Sequence, residues 1–120
     1  MNLERWWPLI VWTLGVVVAT SIPNPDLPGV VDHMDKAAHF LMYGGIGFFG
    51  GRGLGPRARG ATLLLAMLGL AAFAGLDEWH QQFIPGRSSS ATDWLADVSG
   101  GVVGFLLSSA ALRRRESLES

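Results

Sequence analysis

Residues 35–45 read DKAAHFLMYGG. Asp35, His39 and Tyr43 follow one another at four-residue intervals, so on a helix they share one face. Each can hold, donate or accept a proton, and Lys36 adds a cation on the adjoining edge. A second group of such residues lies in residues 77–97, DEWHQQFIPGRSSSATDWLAD. Asp77 and Gln81 are four apart there, as are Asp93 and Asp97, and Glu78 lies three before Gln81. Carboxylates gathered around an imidazole in a low-dielectric site make a proton-transfer set. His39, Glu78 and Asp93 are the acid–base candidates, with His39 foremost as a general base. The blander role for the same groups is a hydrogen-bonded network that fixes helix register.

A second chemistry is anion binding. Pro85-Gly86 makes a turn, and Ser90 with Asp93 three later resembles a capping box that opens a helix. A helix N-terminus offers free N–H groups and positive potential, and Arg87 beside it is a planar fork suited to phosphate or carboxylate. Lys36 is placed to reach the same anion. The ligand-binding set expected on these grounds is Asp35, Lys36, Tyr43, Gln81, Arg87, Ser88 and Asp97. The competing role for Arg87 is a plain ion pair with Glu78 or Asp93. Tyr43 is expected to donate its hydroxyl to one of the carboxylates. Ser88, Ser89 and Ser90 sit outside any G-x-S-x-G elbow, and serines before a helix are usually caps. His39, Glu78 and Asp93 form an imaginable metal set, but no H-x-x-x-H or comparable spacing supports it. Neither a metal nor a cofactor is therefore expected.

The elements that must position these groups are hydrophobic. Of 120 residues, 49% are apolar and only 16% charged, against about a quarter in ordinary soluble domains. Four apolar runs are expected to be helices, about 6–22, 36–52, 61–83 and 93–112, in one domain covering 1–120. Each approaches the roughly 17–25 residues that cross a bilayer core. PNPDLPG ends the first run, GGRGLGPRARG the second and PGRSSSAT the third. The first run is long for a signal-peptide core, and Glu4 offsets Arg5, so it reads as a retained helix. Gly47 and Gly51, and Gly100 and Gly104, have the small-xxx-small spacing that lets helices approach closely in lipid. The expected fold is all-α, a bundle of four transmembrane helices.

Orientation follows from charge. With four crossings, Arg5, Arg52, Arg57, Arg59, Arg113, Arg114 and Arg115 fall on one side, and Lys36 and Arg87 on the other. The positive-inside rule makes the termini cytoplasmic. Asp26, Asp32, Asp35, Asp77, Glu78, Asp93 and Asp97, with His33, His39 and His80, then lie in the outward half. Trp79 and Trp94 are expected at the outer interface, and Trp6 and Trp7 at the inner one. There are no cysteines, hence no disulfides or thiolate sites, and no basic stripe or motif for nucleic acid.

DKAAHFLMY, followed by EWHQQFIPGRSSSATDWLADVSGGVVG, resembles the VanZ-like family of bacterial membrane proteins. The family pattern falls on Asp35, Lys36, His39, Phe40 and Tyr43, then on Glu78, Gln81, Phe83, Pro85, Gly86, Arg87, Asp93, Gly100 and Gly104. One departure is Asp97, where the family usually carries Asn. The resemblance implies a multi-pass protein of the bacterial inner membrane. It also implies a link to resistance against the glycopeptide teicoplanin, which acts on cell-wall precursors outside the membrane.

The leading expectation is an envelope protein with an outward-facing polar pocket. Its ligand would be an anionic, lipid-linked molecule such as a wall precursor or a phospholipid, bound or modified there. Membrane lipids are the expected partners, with a homo-oligomer compatible. The alternatives are a small proton-linked transporter and a non-catalytic partner of another membrane complex.

Overall fold

The computed structural model describes residues 2–23, 31–87 and 89–120, with side chains in the second helix described from Asp35 onward. Four helices follow in order: α1 (Leu3–Ser21), α2 (Val31–Leu54), α3 (Ala61–Gln81) and α4 (Ala91–Glu119). No strand occurs among the described residues. The expected bounds shift at the ends. α1 starts earlier because the Asn2 side chain caps it, accepting from the Glu4 N–H at 3.2 Å. α2 begins five residues before Lys36, so the motif's charged residues lie inside the helix and not at its start. α4 runs through Arg113–Arg115 to Glu119. Arginine is a good helix former, so the charge triplet extends the helix instead of ending it.

α2 stops at Leu54, and Gly55 follows at φ 87°, the left-handed position that a glycine C-cap supplies. Gly86, at φ 75°, makes the turn expected of Pro85-Gly86.

α2 and α4 form the most extensive helix pair. Their residues pair in rising order, Lys36 with Asp93 and His39 with Asp97, so the two helices run parallel. Glycines permit the approach. A Cβ at Gly100 would collide with the Phe40 carbonyl, one at Gly104 with the Gly44 carbonyl, and one at Gly47 with the Gly101 carbonyl. The small-residue spacing in both helices therefore serves one contact, backbone against backbone. α1 runs antiparallel to α2: Trp6 lies against Gly53, and Trp12 Nε1–H donates to the Met42 carbonyl at 2.8 Å. α3 runs antiparallel to α4, where Trp94 Nε1–H donates to the Ala71 carbonyl at 3.0 Å. Trp94 and Trp6 are thus packed between helices, while Trp7 and Trp79 stand exposed as belt residues would.

Burial is inverted relative to a soluble domain. The buried apolar side chains are Val16, Tyr43, Ile46, Ala74 and Phe105. Among the described residues the buried polar ones are more numerous: Thr20, His39, Asp77, Glu78, Gln81, Asp93, Asp97, Ser108 and Ser109. Large aliphatic residues cover the outside, including Leu14 and Val18 on α1, Leu64, Leu65 and Leu68 on α3, and Leu106 and Leu107 on α4. Two helices, α3 and α4, are long and apolar enough to cross a membrane. Only 17% and 39% of their apolar stretches are buried, so neither is the enclosed core helix of a soluble protein.

Candidate functional site

The antiparallel and parallel pairings bring the C-terminal ends of α1 and α3 level with the N-terminal parts of α2 and α4. The candidate residues meet at that level. His39 enters from α2 and has no solvent exposure. Its Nδ1 lies 2.7 Å from Asp97 Oδ1 on α4, an N–H to carboxylate hydrogen bond between two fully buried groups. The same nitrogen lies 3.7 Å from Glu78 Oε1 on α3, and its Nε2 lies 3.8 Å from Asp35 Oδ2 one turn earlier on α2. Lys36 reaches Asp93 across the α2–α4 contact at 3.3 Å, with Asp93 buried and Lys36 41% exposed at the rim.

Glu78 links α3 to α4. Its Oε2 accepts the Ser90 backbone N–H at 3.2 Å, while Ser90 Oγ caps α4 by accepting the Asp93 N–H at 3.1 Å. The expected capping box is therefore half formed: Ser90 plays its part, and Glu78 from another helix takes the reciprocal role that Asp93 would have filled. Asp93 is released to pair with Lys36.

One turn deeper is a second knot. Tyr43 donates its hydroxyl to Asp77 Oδ2 at 2.7 Å, and Thr20 from α1 donates to Asp77 Oδ1 at 3.0 Å. Both oxygens of this buried carboxylate are thus occupied. Neither Thr20, inside an apolar run, nor Asp77 belongs to the expected ligand-binding set. Its spacing from Gln81 was the available signal. Gln81 is buried on the same face of α3, and its Nε2 has no hydrogen-bond partner among the described residues.

One expectation is corrected. Arg87 pairs with neither Glu78 nor Asp93. Its Nε–H donates to the Ile22 carbonyl at 2.9 Å and Nη2 to the Ala19 carbonyl at 3.0 Å. The guanidinium closes the C-terminus of α1, where helix carbonyls lack partners and cations are favoured. His39 and Asp97 are sealed, and three grooves of about 730, 310 and 760 Å³ have none of His39, Glu78, Asp93 or Asp97 in their walls. Those grooves are apolar. Ser88, the side chains of Asp32 and His33, and Asp26 lie outside the described residues.

The buried centre beneath the Lys36 rim holds protons or cations better than bare anions. Asp35, Asp77, Glu78, Asp93 and Asp97 surround the centre, against Lys36 and the imidazole of His39. His39, Glu78 and Asp97 each offer a ligating atom, all within 4.8 Å of one another.

The fold and site define an all-α protein with an apolar exterior and a buried carboxylate–histidine centre shared by α2, α3 and α4. The VanZ/LLP1 family model matches residues 3–112, and the chain belongs to that family. The family and the two apolar helices together point to a membrane protein. No curated protein and no solved structure matches the chain.

Proposed function

We propose that the chain is a four-span protein of the bacterial inner membrane, with cytoplasmic termini, that binds or modifies an anionic, lipid-linked envelope molecule from the outer leaflet. The observation that carries this reading is the placement of the polar centre. Proton-handling side chains gather at one depth, directly beneath the exposed Lys36 and the first turn of α4, while the exterior around them is aliphatic. Charges at such a depth are costly unless paired, and where they persist they usually mark function.

The phosphate of the ligand sits at the rim against Lys36 and the N-terminus of α4. Its hydrocarbon lies in the groove of about 730 Å³ between α1 and α2, which extends from Ala19 to Glu4 and Arg52. His39, Glu78 and Asp93 supply the acid–base set if a bond is made or broken. Below Tyr43 the buried side chains are Ile46, Phe105, Ser108 and Ser109, none of them titratable, and an interior without proton-carrying groups favours binding over proton-linked carriage. Capture of wall precursors on this side fits the glycopeptide link that the family resemblance implies.

The test is titration of the purified chain in nanodiscs with a polyprenyl phosphate, with phosphatidylglycerol and with a neutral diacylglycerol. Phosphate-bearing lipids should bind more tightly than the neutral one, and Lys36→Ala should remove most of the difference. Equal affinity for all three, or unchanged preference in Lys36→Ala, would refute the reading.

A further inference from the structure

We propose that His39, Glu78 and Asp97 form a binding site for one first-row divalent transition-metal ion. Sequence spacing could not suggest it, because the three ligands come from three helices, α2, α3 and α4. Folding brings their ligating atoms within 4.8 Å of one another. His39 and Asp97 have no solvent exposure and Glu78 only 4%, so the site is enclosed and built, not a surface cluster of acids.

The donor set is one imidazole and two carboxylates, without thiolate. That mixture suits ions of the manganese-to-zinc series better than calcium or magnesium, which favour all-oxygen shells. Metal–ligand distances of about 2.0–2.2 Å place neighbouring ligand atoms roughly 3–3.5 Å apart. The observed separations from His39 Nδ1, 2.7 Å to Asp97 and 3.7 Å to Glu78, bracket that range.

Unpartnered atoms point the same way. Glu78 Oε1 and Asp97 Oδ2 are buried with no hydrogen-bond partner among the described residues. The Ser90 N–H holds Glu78 by Oε2, which leaves Oε1 turned toward His39, as an outer partner orients a metal ligand. A proton on His39 Nδ1 now joins it to Asp97, and a metal ion at that nitrogen would join all three groups. The imidazole proton would then move to Nε2, which also lacks a partner and faces Asp35 Oδ2 at 3.8 Å. A carboxylate behind a metal-bound histidine is the usual arrangement. The charge balance agrees: Asp35, Glu78 and Asp97 lie within 3.8 Å of the imidazole, and Lys36 is engaged by Asp93, so a divalent ion relieves a costly burial. The site stands whether or not a lipid binds at the rim.

The test uses full-length chain purified in detergent, stripped with chelator and reloaded with Co²⁺ or Zn²⁺. After gel filtration, elemental analysis should find one equivalent per chain, and the Co²⁺ form should show the visible absorption of a four- or five-coordinate ion. Asp97→Asn, which keeps the side-chain shape, should weaken binding at least about tenfold. Asp77→Asn should leave it within about twofold, because Thr20 and Tyr43 already occupy both oxygens of that residue. Should Asp77→Asn not elute as a folded species, Glu78→Gln takes its place: loss of metal supports the site, and retention overturns it. Retention of less than a tenth of an equivalent by the unsubstituted chain, a Co²⁺ spectrum of the solvated ion, or equal loss in folded Asp77→Asn and Asp97→Asn would overturn the proposal.

Discussion

His39 and Asp97 meet at 2.7 Å where α2 and α4 run side by side, and neither is touched by solvent. Removing one partner of such a buried pair leaves the other uncompensated. Asp97→Ala should therefore destabilise the protein by about 3–5 kcal/mol, and Asp97→Asn by clearly less, because the amide oxygen still accepts from the imidazole. Unfolding followed by circular dichroism in mild detergent measures both. Equal stability of the two variants would mean that the hydrogen bond does not hold α2 to α4.

The Tyr43–Asp77 contact predicts a smaller effect. Tyr43→Phe removes one of two donors from a buried carboxylate and should cost about 1–3 kcal/mol. Combining it with Thr20→Val should cost more than the sum of the single changes, because the last donor is then lost. Strict additivity in the same unfolding measurement would show that the two donors act independently.

Much of this arrangement was legible in the sequence, and the limits have physical reasons. Four apolar runs marked four helices, and the four-residue intervals of Asp35, His39 and Tyr43 placed them on one face, as found. Ser90 was legible as a cap and Pro85-Gly86 as a turn because both are local chemistry. Partner choice was not legible. Whether His39 meets Asp93 or Asp97 depends on the register of α2 against α4, set by glycine–carbonyl contacts between residues about sixty positions apart. The partners of Arg87 are backbone carbonyls, which leave no mark in the sequence. Thr20 looked like any threonine in an apolar run until α1 was packed beside α3.

The glycine contacts can be tested against glycines that make none. Gly104→Ala drives a methyl group into the Gly44 backbone, which cannot yield as a flexible side chain can. It should destabilise by about 3 kcal/mol or more, or prevent accumulation of folded protein. Gly50→Ala and Gly69→Ala meet nothing within 4 Å and should be neutral or slightly stabilising. Thermal unfolding of the three variants distinguishes close α2–α4 packing from a loose association in which all tolerate alanine.

Arg87 gives a prediction about position more than binding. Arg87→Ala frees the Ala19 and Ile22 carbonyls and should cost about 1–2 kcal/mol, with increased proteolysis near the end of α1. Arg87→Lys should restore only part of this, because an ammonium cannot span two carbonyls as the guanidinium fork does. Lipid affinity should change little in folded Arg87→Ala. A large loss of phosphate-lipid binding without loosening of α1 would return Arg87 to the ligand site.

The central claim is that the carboxylate–histidine centre faces the outer side of the inner membrane. The chain has no cysteine, so single substitutions report sidedness without background. Ser89→Cys, exposed beside the centre, should react with a membrane-impermeant maleimide in intact spheroplasts, whereas Arg57→Cys and Ser117→Cys should react only after lysis. Labelling of Arg57→Cys and Ser117→Cys in intact spheroplasts, with Ser89→Cys protected until lysis, would place the centre on the cytoplasmic face and contradict the account.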